Sequence, residues 1–72
     1  MKNSIKLLDV VALTKDISEK KLYRGQVGTV VEILSPTMFE VEFSDDDGRT
    51  YNMLALPKNH LMVLHYQPVE YA

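Results

Sequence analysis

The chain has 72 residues, no cysteine and no tryptophan, and eight Lys and Arg against ten Asp and Glu. That length accommodates one domain, the missing cysteines exclude disulfides, thiolate metal sites and a thiol nucleophile, and a net charge of −2 opposes generic binding to phosphate backbones. Hydrophobic residues make up 46% of the chain and charged ones 25%, a globular balance rather than a disordered one.

The N-terminal stretch MKNSIKLLDVVALTKD is apolar from Leu7 to Leu13 but is interrupted by Asp9. It is too short to span a membrane and lacks the cleavage site of a signal peptide, so a soluble cytoplasmic protein is expected. A helix capped by Asn3 or Ser4, with Ile5, Leu8 and Ala12 at helical spacing, competes here with a strand. The β-branched pair Val10-Val11 and the loss of pattern at Thr14 favour a first strand over residues 9–13.

A long polar loop follows from Thr14 to Gln26, then a second strand from Val27 to Leu34. On that strand Val27, Thr29, Val31 and Ile33 form one candidate inner face, and Val30 and Leu34 the other; a bulge near Gly28 would switch the register. Ser35-Pro36-Thr37 breaks the run. The third strand, Met38 to Phe43, alternates cleanly: Phe39, Val41 and Phe43 on one face, Glu40 and Glu42 on the other. Asp45-Asp46-Asp47-Gly48 reads as a turn with Gly48 at positive φ. A fourth strand from Arg49 to Leu56, one turn of 3₁₀ helix at Pro57-Lys58-Asn59 and a fifth strand from His60 to Leu64 complete the pattern.

Short strands separated by turn chemistry define an all-β fold. Five of them, with a long first loop and a short 3₁₀ turn before the last strand, describe a small SH3-like barrel whose rolled sheet leaves no isolated edge. The single domain spans residues 1–72, with its core at about 9–65 and a C-terminal tail at 66–72.

The run Arg24-Gly25-Gln26-Val27-Gly28-Thr29-Val30-Val31-Glu32-Ile33 resembles the glycine-centred turn and strand of KOW-type and other bacterial SH3-like barrels. Over Asp9 to Leu64, through DVVALTKDISEKKLYRGQVGTVVEI, FEVEFSDDDGRTY and LALPKNHLMVL, the chain is similar to a domain-of-unknown-function family of small bacterial proteins common in cyanobacteria. The resemblance implies an SH3-like barrel and a standalone partner-binding module; some members of such families resemble the small half of a toxin–antitoxin pair. Ferredoxin-docking barrel subunits are similar in size and fold class, but their docking residues have no match here.

Charge is spread unevenly. Residues 1–27 carry six basic and three acidic side chains, and residues 28–50 carry Arg49 against six acidic ones. A basic loop and an acidic hairpin can orient a charged partner. The candidate partner-binding residues are therefore Lys20, Lys21, Tyr23 and Arg24 in the loop, and Glu40, Glu42, Asp45, Asp46 and Asp47 in the third strand and its turn.

Other chemistries are weaker. The acidic turn lacks the alternate ligands and closing Glu of a calcium loop. His60 and His65 are five apart and would point to opposite faces of a strand, so no metal site is expected. No serine stands beside a base in sequence, so neither an enzyme nor a cofactor is expected. A nucleic-acid site would use Lys20, Lys21 and Arg24, with only Tyr23 nearby for stacking.

The expected function is thus a non-catalytic module that binds another protein, in one form an antitoxin-like partner of a neighbouring gene product. The alternatives are an RNA- or ribosome-binding KOW-like domain and a small structural subunit of a photosynthetic or electron-transfer complex. The tail, with Tyr66, Val69 and Tyr71, or a free barrel edge, offers a route to a homo-oligomer.

Overall fold

The structure, a computed structural model, describes residues 4–68. It is all-β: β1 (Val10–Leu13), β2 (Val27–Ser35), β3 (Met38–Ser44), β4 (Thr50–Pro57) and β5 (Leu61–Val63), with two 3₁₀ turns at Ser18–Lys20 and Lys58–His60. All pairings are antiparallel and the strand order is β4-β3-β2-β1-β5.

The order ends in two edges, yet only Lys58–His60 separates Pro57 at the end of β4 from Leu61 at the start of β5. In a flat sheet those edges would lie about 19 Å apart at roughly 4.8 Å per strand. Four Cα–Cα steps reach only about 15 Å. The sheet is therefore strongly rolled. No ladder joins β4 to β5 among the described residues, so the barrel expected from the sequence is not closed by hydrogen bonds. The turn between them is pinned at both ends: Lys58 N–H donates to Thr37 O at 2.8 Å and Thr14 N–H to His60 O at 2.9 Å.

The core holds Val11, Leu13, Leu22, Val30, Phe39, Val41, Phe43, Leu56 and Leu61, with Ile5 drawn in from the N-terminal segment. The favoured first strand is β1, and the competing N-terminal helix is not formed among the described residues. Instead Asp9 N–H donates to Lys6 O at 3.1 Å, the Asp9 carboxylate accepts Lys6 N–H at 2.8 Å, and Leu8 takes φ 71. That turn folds Ile5 back onto the core, and Leu8 N–H and Asp9 O extend the β1–β2 ladder to Val30.

The face of β2 that the sequence left open is now assigned. Gly28 and Val30 point inward, while Val27, Ile33 and Leu34 are exposed. Gly28 is buried because there is no room for more: a Cβ there would stand 2.7 Å from Val41 Cγ1, 2.9 Å from Glu42 O and 3.0 Å from Phe43 Cδ1. The β2–β3 register shifts fall between Val30 and Glu32 and between Ile33 and Ser35 rather than at Gly28, so Val31 and Leu34 are unpaired on the ladder and Ile33 comes opposite Phe39. The described part of the tail does not pack on its own sheet: Tyr66 is 80% exposed. Val69 and Tyr71 lie outside the described residues.

Candidate functional site

The β1–β2 loop is a folded element. Leu22 is fully buried and forms a bridge with Ile17, whose N–H donates to Leu22 O at 2.7 Å. The Asp16 carboxylate accepts Arg24 N–H at 2.8 Å, and Lys21 closes the 3₁₀ turn at φ 58, its N–H donating to Ser18 O. With the backbone held from inside, Lys20, Lys21, Tyr23 and Arg24 are all presented at the surface.

The β3–β4 turn is organised by one of its aspartates. Asp45 Oδ1 accepts Asp47 N–H at 2.9 Å and Arg49 N–H at 3.0 Å, and Asp45 O accepts Gly48 N–H at 3.0 Å, with Gly48 at φ 79. A short carboxylate that satisfies two turn amides holds the backbone. Asp45 is thus committed to the turn, whereas the side chains of Asp46 and Asp47 are exposed.

Loop and turn share one end of the sheet, because β1 ends where β2 begins and β2 runs antiparallel to β3. Two amides connect them. Gln26 Oε1 accepts Tyr23 N–H at 2.6 Å, while Gln26 Nε2 donates to the Tyr51 hydroxyl at 3.1 Å. Asn52 Nδ2 donates to Lys20 O at 3.1 Å. Tyr51 in turn rests on the core, its ring centroid 6.3 Å from that of Phe43. A cationic loop is so fastened to the strand that leaves the acidic turn.

The remaining two candidates sit elsewhere. Glu40 and Glu42 point outward from the middle of β3, opposite Ala55 and Met53. Glu42 is engaged by the Thr50 hydroxyl at 2.5 Å. Glu32, absent from the candidates read off the sequence, lies directly opposite Glu40 across the β2–β3 ladder. The expected set therefore divides into an end cluster (Lys20, Lys21, Tyr23, Arg24, Asp45, Asp46 and Asp47) and a carboxylate stripe on the sheet (Glu32, Glu40 and Glu42). Sequence reasoning also missed Gln26, Tyr51 and Asn52. Only the long-range pairing of loop to β4 reveals them.

The described residues hold no group of three or more His, Asp or Glu placed to bind a metal ion, and no helix long and apolar enough to cross a membrane. What they present is charge and half-exposed aromatic surface on an all-β frame. Residues 7–63 match the model of a domain of unknown function, DUF4926, and the chain belongs to that family. Neither the curated proteins nor the solved structures returned a match.

Proposed function

We propose that this chain is a non-catalytic protein-binding module that engages its partner through the loop–turn end of the sheet. The observation that carries this reading is the pair of links from Gln26 to Tyr51 and from Asn52 to Lys20, which hold a cationic loop against the strand leaving an acidic turn. Preorganised charges of both signs set the orientation and rate of encounter, and fixing them in advance removes an ordering cost from binding. Tyr23 and Tyr51, each about half exposed, supply amphipathic contact area beside them.

The competing RNA reading uses the same Lys20, Lys21 and Arg24. The acidic turn beside them weakens the positive field that a phosphate backbone needs. A gel-shift titration with single-stranded and duplex RNA at low salt separates the two readings. The protein-binding account expects no shift at high micromolar protein. A shift abolished by neutralising Lys20, Lys21 and Arg24 would overturn it.

A further inference from the structure

Residues paired across an antiparallel ladder share a face of the sheet. Ala12 is opposite Val27 on β2 and Met62 on β5, and Val10 is opposite Thr29. Leu64 N–H donates to Val10 O at 2.9 Å, which brings Leu64 alongside. Since Val11 and Leu13 fill the core, these residues form the outward side. A sheet that faces water on one side normally alternates apolar in and polar out. Here the outward side of β1, β5 and the first part of β2, from Val27 to Thr29, is apolar except for Thr29. Ala12 is only 5% exposed between two flanking side chains that are 43% (Val27) and 54% (Met62) exposed.

The border of this tract toward β3 is anionic. Thr29 is opposite Glu42, and Glu40 is opposite Glu32, so carboxylates line the side of the tract that faces β3. None of the five strands contains a lysine or arginine.

We propose that the outward face of β2–β1–β5 docks a cationic amphipathic segment of a partner protein. Its apolar side chains cover Val27, Ala12 and Met62, and its Lys or Arg groups meet Glu42, Glu40 and Glu32. The proposal rests on the reading of the chain as a protein-binding module but uses a surface separate from the loop–turn end. Charge complementarity selects this occupant. A second copy would bring a second set of strand glutamates and no strand cation, and an anionic membrane surface would be repelled by the same glutamates.

The test is an NMR titration of the isotope-labelled chain with a synthetic Leu/Lys peptide of helical amphipathic periodicity, beside a scrambled peptide of equal composition and a Leu/Glu counterpart. Expected are amide shifts concentrated at Val10, Ala12, Val27, Thr29 and Met62. Binding should weaken about tenfold in both Met62→Lys and Glu42→Lys, with the dispersed spectrum of each variant showing that it folds. Equal binding of the scrambled peptide, shifts confined to the loop–turn end, or self-association that disappears in Met62→Lys would each overturn the proposal. If the face binds no peptide while the loop–turn end still retains a protein, this site fails and the module reading stands; if neither surface binds, both fail.

Discussion

Gly28 and Val41 meet across the inside of the sheet so closely that a single methyl group does not fit between them: a Cβ on Gly28 would stand 2.7 Å from Val41 Cγ1. The other two neighbours, Glu42 O and Phe43 Cδ1, belong to the ladder backbone and the core and have little freedom to yield. Gly28→Ala should therefore destabilise the fold by about 2 kcal/mol through overpacking, read as a lower urea midpoint with an unchanged slope. A neutral substitution would mean that β2 does not pack as described.

The amide of Gln26 is the joint between loop and sheet. Gln26→Ala leaves Tyr23 N–H and the Tyr51 hydroxyl without their partner. Because both lie near the surface and water can replace it, the cost in global stability should be modest, about 1 kcal/mol. The local effect should be larger: hydrogen exchange at Tyr23 and its loop neighbours should accelerate well beyond that of the β2–β3 amides. Uniform acceleration across the sheet would show that Gln26 acts on the whole fold instead.

Adjacent aspartates in the β3–β4 turn should separate cleanly. Asp45→Ala removes the acceptor of two turn amides and should cost about 1 kcal/mol. Asp46→Ala, at an exposed position, should stay within about 0.5 kcal/mol and instead slow association with a cationic partner in a salt-dependent way. Thermal unfolding of the two variants in the same buffer decides this.

Much of this architecture was legible in the chain. The alternation of Phe39, Val41 and Phe43 with Glu40 and Glu42 states the period of β3 and its inner face outright, and the structure places those residues accordingly. The turn before the last strand, the long first loop and the Asp-Gly reversal were equally plain. β2 was not, because a near-continuous β-branched run carries no alternation, and its face is set by an inward glycine and a bulge at Val31. The N-terminal segment offered a helix and a strand; the β-branched pair Val10-Val11 rightly favoured the strand, while the tight turn that buries Ile5 was not visible in the spacing. The candidate charges were legible as residue types but not as a surface. Only β-pairing shows that Glu40 and Glu42 join Glu32 on the sheet, away from the turn with which they were grouped.

That stripe has an energetic consequence. Glu32 and Glu40 face each other directly on the ladder, an arrangement in which like charges repel. Glu40→Lys replaces the repulsion with an attraction and should raise stability by about 0.5 kcal/mol at low salt, with the gain shrinking as salt is added. The same substitution should weaken binding of the cationic amphipathic peptide. Stability and recognition would then trade against one another at one residue; a variant that loses stability would show that the pair is not in direct register.

The most direct measurement of the central claim is affinity capture from a lysate of the source cells, with and without ribonuclease, by the tagged chain and by a variant in which Lys20, Lys21 and Arg24 are changed to Glu, read by quantitative mass spectrometry. The account predicts a stoichiometric protein partner that survives ribonuclease and is lost in the variant. Recovery of RNA and ribosomal proteins alone, abolished by ribonuclease, would contradict it.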